Sequence, residues 1–151
     1  MRQVLLIFRP GTGGLTPVLP VAFDSLTLPA SPNTCLVGPP DYAGPKHLTQ
    51  PPYAVPPAIL WATLNRVAAG LHRTYKLGEF PDRLQAQWVE RSALMNYPDI
   101  IAAEIRPDSS TYPGGAALLL FSRSLLGWSD LGVNQARVRR WLMALDVALQ
   151  P

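Results

Sequence analysis

The residues most able to do chemistry form a dense polar group near the C-terminus. In chain order they are Ser122, Arg123, Ser124, Ser129, Asp130 and Asn134. An arginine and two serines beside the amides of a helix N-terminus can hold a carboxylate or a phosphate. We therefore treat this group, with Arg91 as a second arginine, as a candidate ligand-binding site.

The same group also has a structural interpretation. Ser129 and Asp130 can close a turn by hydrogen bonding to their own backbone, and Asn134 can cap the helix that follows. Arg123 can pair with Asp130, Glu104 or Glu90. Residue types alone do not separate the structural interpretation from ligand binding, so both stay open.

Other reactive residues are sparse. The two histidines, His47 and His72, show no metal-ligand spacing, and a metal site needs three or four convergent donors. The single cysteine, Cys35, excludes an internal disulfide. We expect no metal, no cofactor and no assignable catalytic residue.

The elements that must position the candidate site begin after a proline-rich segment. Twelve of the 17 prolines lie in residues 1–57. Proline removes a backbone donor, so this third should lack long helices and central strands. We predict an extended N-terminal arm with edge-strand pieces. We expect residues 1–22 to be a flexible N-terminal segment and residues 23–151 to be a single domain.

Two helices and several strands are predicted after this segment. One helix starts at Pro56–Pro57 and ends near Gly70. The last carries an apolar stripe at Val138, Trp141, Leu142, Leu145 and Leu149. Asn134 should be its N-cap, and Arg137, Arg139 and Arg140 should lie on or beside its other face.

Strand patterns cover residues 84–88, 99–106 and 116–125, with a weaker one near 73–77. The predicted fold is therefore α+β, an antiparallel sheet of three or four strands packed by two helices. Alternation along the third strand places Ser122 and Ser124 on one face and Arg123 on the other.

Charge and hydropathy limit the classes of partner. The net charge is +3 and the basic residues are scattered, so we expect no nucleic-acid partner. Charged residues are 15% of the chain, against about 25% in ordinary soluble domains. No stretch approaches the roughly 18 apolar residues of a membrane span. We expect a cytoplasmic or peripheral protein.

Several ordered pieces of the chain resemble the domain of unknown function 1499 family, found in bacteria and plant plastids. They are Pro32-Asn33, Arg91-Ser92 followed by Tyr97-Pro98-Asp99, Ser122-Arg123-Ser124, Ser129 to Asn134, and the helix through Arg137–Leu142. The resemblance spans roughly residues 23–149. It implies the cell envelope as a second possible location, and no activity.

The sequence leaves two hypotheses for function. The first is a non-enzymatic binding or accessory module that takes a protein partner or a small apolar or anionic ligand. The alternative is a small enzyme, in which Arg91 and Arg123 bind an anionic substrate and Asp130 or Ser124 helps proton transfer.

Overall fold

The computed structural model describes residues 4–15, 17–108, 110–127 and 131–151. Over these residues the protein is an α+β fold, with two α-helices packed on one sheet of six strands. The strands are β1 (Thr34–Gly38), β2 (Leu48–Thr49), β3 (Thr74–Phe80), β4 (Gln85–Arg91), β5 (Pro98–Asp108) and β6 (Gly115–Ser124). The helices are α1 (Pro57–Gly70) and α2 (Val133–Leu149).

The sheet is larger than predicted and is mixed. Its strand order is β2-β1-β6-β5-β4-β3, and β1 pairs with β2 in parallel while the other neighbours are antiparallel. The prediction of three or four antiparallel strands is therefore wrong. The four strands from β3 to β6 lie where the patterns placed them, and the additional two come from the proline-rich third.

β1 contradicts the expectation that this third holds no central strand. It lies between β2 and β6, so it is an interior strand. Pro32 and Pro39 flank it, but none of its five residues is a proline. Each of its backbone N–H groups can therefore donate to a neighbouring strand. The high proline content averaged over residues 1–57 concealed this short proline-free stretch.

Both helices pack their apolar stripes on the same face of the sheet, which we call the helix face. Leu60 and Leu64 of α1 and Leu145 of α2 are fully buried there. Trp141 of α2 packs edge-on against Trp88 of β4, with ring centroids 5.3 Å apart. No helix in the described ranges is long and apolar enough to cross a membrane.

The opposite face of the sheet, here called the second face, contacts the N-terminal third of the chain. Phe23 packs there with Leu36, Leu119 and Phe121 in a separate apolar cluster. The side-chain amide of Gln85 donates to the carbonyl of Val21 at 2.9 Å. The extended arm and the division of the chain at residue 22 both stay predictions.

The start of α2 differs from the prediction. Gly132, at φ +85°, is the N-cap, whereas Asn134 lies inside the first turn of the helix. Arg137 was expected on or beside the outer face of the helix, yet it is only 3% exposed and points at the sheet. The predicted cap at Asn134 and the predicted outer position of Arg137 are therefore both wrong. Both side chains form hydrogen bonds in a buried polar network instead.

Candidate functional site

The sheet register separates the predicted site residues. Ser122 lies opposite Ile101 and Ser124 opposite Asp99, on the helix face, whereas Arg123 lies opposite Ile100 on the second face. The predicted alternation of these three side chains is thus confirmed. Burial lowers the pKa of the Arg123 guanidinium. Ser122, Ser124 and Asn134 come together, but Arg123 does not join them.

Arg91 lies on the second face, where backbone carbonyls surround it. Its guanidinium donates to the carbonyls of Leu6 and Gly11 at 2.7 Å, and to those of Gly13 and Asn96 at 3.1 Å. Burial, and then the nearby Arg73, lower its pKa. Arg91 therefore holds the N-terminal segment against the turn after β4. The remaining predicted site residues, Ser129 and Asp130, lie outside the described residues.

Arg137 is the centre of a polar network under α2 that we call the arginine network. Its Nη2 donates to Oδ2 of Asp99 at 2.7 Å, and its Nη1 donates to Oδ1 of Asn134 at 2.8 Å. Its Nε lies 3.1 Å from Oε1 of Glu90, close enough for an ion pair but not aligned for a hydrogen bond. One side chain of α2 thus contacts both β4 and β5.

Asn134 extends the network across the sheet. Its Oδ1 accepts from the hydroxyl of Ser122 at 2.5 Å, and its Nδ2 donates to Oγ of Ser124 and to the carbonyl of Asn33, both at 2.8 Å. Buried polar groups require such partners, because leaving one unsatisfied costs about 1–3 kcal/mol. Asn134 therefore couples α2 to β6 and to the residue before β1.

Glu90 is the second buried carboxylate of the network. Its Oε1 accepts from Arg140, and its Oε2 accepts from the indole Nε1 of Trp141 at 3.3 Å. Burial alone would raise the pKa of Glu90, but Arg137 and Arg140 outweigh burial and hold it below its ordinary value of 4.5. Glu90 is therefore ionised at neutral pH.

This lowered pKa predicts a pH-dependent contribution to stability. The contribution is fully present above the pKa of Glu90 in the unfolded chain, and it is lost as pH falls through the lower folded value. The difference in unfolding free energy between the wild type and Glu90→Gln should therefore be largest near neutral pH and shrink on acidification. Urea unfolding at several pH values measures it.

Glu79→Gln is the matched control, because the Glu79 carboxylate is exposed and pairs only with exposed Lys76 at 3.0 Å among described contacts. Its unfolding free energy should follow the wild type at every pH. A Glu90→Gln difference that stayed constant down to strongly acidic pH would contradict the lowered pKa.

A cleft of about 490 Å³ opens beside the arginine network, between α2, the end of α1 and the end of β4. We call it the arginine cleft. Its lining includes Leu71, His72, Arg73, Glu90, Arg91, Ser92, Val133, Arg137 and Arg140. Half of the Arg140 side chain, 54%, is exposed, so this guanidinium can reach a ligand in the cleft.

A second cleft, of about 280 Å³, lies at the same end of the sheet. We call it the apolar cleft, since Tyr97, Leu126, Leu131 and Val133 form much of its wall, while Ser92, Asp99 and Ser124 supply its polar atoms. Ser92 and Val133 line both clefts. The two clefts therefore adjoin, one rich in arginine and the other apolar.

Arg137 and Glu90, which organise this site together with the predicted Asn134, were missed by sequence reasoning, although two patterns could have found them. Asn134 and Arg137 precede Trp141 at helical spacing, which places them on its buried side. Glu90 is two residues after Trp88 in β4, which places it on the helix face. Among the described residues, no three side chains of His, Cys, Asp or Glu form a metal site.

Comparison with protein families gives one match across this architecture. The family model described as "Protein of unknown function (DUF1499)" matches residues 25–145. The matched range contains all six strands, the arginine network and the lining of both clefts. A comparison with curated proteins finds no match.

Proposed function

Because the chain belongs to the DUF1499 family, whose function is uncharacterised, we propose a function from its geometry: a non-enzymatic module that binds a small amphipathic anion in the two adjoining clefts. The observation that carries the proposal is the meeting of the arginine cleft and the apolar cleft at Ser92 and Val133. An apolar pocket with a few convergent polar groups is the usual form of a small-molecule site.

The charges of the arginine cleft favour an anionic head group. Arg73, Arg91, Arg137 and Arg140 line it together with one carboxylate, Glu90, which is already paired with Arg137 and Arg140. Guanidinium groups bind carboxylate and phosphate through charge-assisted hydrogen bonds. Of the four, Arg140 is the best placed to bind such a head group, because about half of its side chain is exposed.

The apolar cleft suits the rest of such a ligand. Val133 lies at the boundary of the two clefts, and Leu126 is a partly buried residue of the apolar cleft. An alkyl chain that extends from the arginine cleft past Val133 would therefore contact both of these side chains. Transfer of apolar surface from water into such a cleft favours binding by about 25 cal/mol per Å². The ligand should therefore need both an anionic head and an apolar tail.

The state of the carboxylates supports a binding role over catalysis. Glu90 has a lowered pKa and uses both oxygens as acceptors, so it is a weak general base. Asp99 is buried and paired with Arg137 at 2.7 Å. These groups serve to hold α2 on the sheet and to keep the arginines in place.

The alternative is an enzyme acting on an anionic substrate at Arg123 and Asp130, and nothing in the described residues tests it. Arg123 lies on the second face of the sheet, whereas Ser122 and Ser124 lie on the helix face. The compartment likewise remains a prediction, either cytoplasmic or peripheral, with the envelope as the location that the family resemblance implies.

Titration calorimetry with dodecanoate tests the proposed function. The wild type should bind dodecanoate and not the cation dodecyltrimethylammonium. Val133→Asp should weaken binding roughly tenfold or more, because it removes an apolar contact and places a negative charge where the clefts meet. An aspartate in the first turn of a helix is compatible with folding.

Ala136→Asp is the matched control, since Ala136 is exposed in the same helical turn and does not line either cleft. It should bind dodecanoate like the wild type. Wild-type protein that fails to bind dodecanoate, or binds both detergents equally, would overturn the proposal.

A further inference from the structure

Large apolar side chains are exposed around the mouth of the apolar cleft. Leu94 is 91% exposed in the turn between β4 and β5, and Leu131 is 95% exposed just before α2. Met95, Tyr97 and Val133 are between 40% and 49% exposed in the same two segments. We call these five residues the apolar rim.

The two segments of the apolar rim lie at one end of the sheet. β5 starts at Pro98, directly after the turn that carries Leu94, and Asp99 pairs with Ser124 at the end of β6. Tyr97, Leu131 and Val133 line a single cleft, which brings the turn and the start of α2 together. A clustered apolar surface of this kind marks a protein or membrane contact.

Positive charge lies beneath the rim. The linings of the two clefts carry four arginines and two carboxylates, Glu90 and Asp99. Both carboxylates pair with Arg137, and Glu90 also pairs with Arg140. Arg73, one of these four arginines, lies against the turn itself, because it donates to Oδ1 of Asn96 at 2.8 Å. The described residues at this end therefore have an excess of positive charge.

We propose that the apolar rim docks the protein on an anionic lipid bilayer, with its leucines entering the interface and the two arginines that are not buried, Arg73 and Arg140, facing the lipid head groups. Charge complementarity selects this occupant, because anionic head groups attract basic residues that lie near the membrane surface. Apolar side chains inserted to a shallow depth add the hydrophobic contribution. This inference goes beyond the proposed function and does not depend on it.

Flotation with lipid vesicles tests the docking surface. The wild type should float with vesicles of phosphatidylglycerol mixed into phosphatidylcholine and should not float with pure phosphatidylcholine. Leu94→Gln combined with Leu131→Asn should weaken binding to the anionic vesicles roughly tenfold or more. Both sites are exposed, and asparagine tolerates the positive φ of Leu131, +54°, so the variant should fold.

Met143→Gln combined with Val147→Gln is the matched control. These residues are 68% and 61% exposed in the last turns of α2, so the control removes comparable apolar surface away from the rim. It should bind anionic vesicles like the wild type. Leu94→Gln alone leaves the lining of both clefts unchanged, so it should weaken vesicle binding and preserve dodecanoate binding.

Three results would overturn the inference. The first is wild-type protein that does not float with anionic vesicles. The second is equal binding to neutral and anionic vesicles, which would remove the role of charge. The third is an equal loss of binding in the rim and control variants, which would show that the rim is not the contact surface.

Discussion

Replacing Arg137 with alanine should lower the free energy of unfolding by about 3–5 kcal/mol, the usual cost of removing one partner from a buried ion pair. The arginine contacts Asp99 at 2.7 Å and Asn134 at 2.8 Å, and its Nε is 3.1 Å from Glu90. Without it, Asp99 would lose a partner in a buried environment. Chemical denaturation at neutral pH measures the loss.

Arg139→Ala is the control for this variant. Arg139 lies on the same helix two residues later and is exposed, so its removal should change stability by less than about 0.5 kcal/mol. Asp99→Asn in the Arg137→Ala background should recover part of the loss, because it removes a buried charge that has lost its Arg137 partner. If Arg137→Ala and Arg139→Ala were equally stable, the network would not hold α2 on the sheet.

Replacing Arg91 with alanine should release the N-terminal segment from the sheet. Its guanidinium donates to three carbonyls of that segment, and each hydrogen bond to a charged group contributes about 1.5–3 kcal/mol. The structured part of residues 4–15 should therefore open more often, and its amide hydrogens should exchange at least roughly tenfold faster. Hydrogen exchange followed by mass spectrometry resolves this region.

The specificity of this effect can be checked within the same experiment. Exchange in α2 should change little, because Arg91 faces the second face of the sheet and α2 packs on the helix face. Arg66→Ala, at an exposed position of α1, should leave the N-terminal segment protected. Equal exchange in wild type and Arg91→Ala would show that these carbonyl contacts do not hold the segment.

These two arginines explain why Arg91 does not join Ser122, Ser124 and Asn134 in one site. A buried guanidinium needs several acceptors, and each arginine finds them on a different face of the sheet. Arg137 uses side-chain oxygens from two strands, whereas Arg91 uses backbone carbonyls of the N-terminal segment. The clefts that could take a ligand lie at the edge of the helix-face network.

The sequence by itself determined the elements whose signal is local. Helical spacing from Leu60 to Val67 and from Val138 to Leu149 identified α1 and α2. Alternation identified the strands from β3 to β6 and the opposite orientations of Ser122 and Arg123. The ordered motifs identified the family. Each of these signals depends on neighbouring residues in the chain, so no tertiary information was needed.

Only the tertiary structure decided the partners of buried charge and the place of β1. Thr34–Gly38 is too short to give a periodic signal. It becomes an interior strand because its backbone pairs with that of β6. Arg137 was read as a surface residue since charged side chains usually are. Its burial depends on the negative charges of Asp99 and Glu90, which are distant in sequence. These carboxylates can compensate the charge of Arg137 only once the sheet and the helix are assembled.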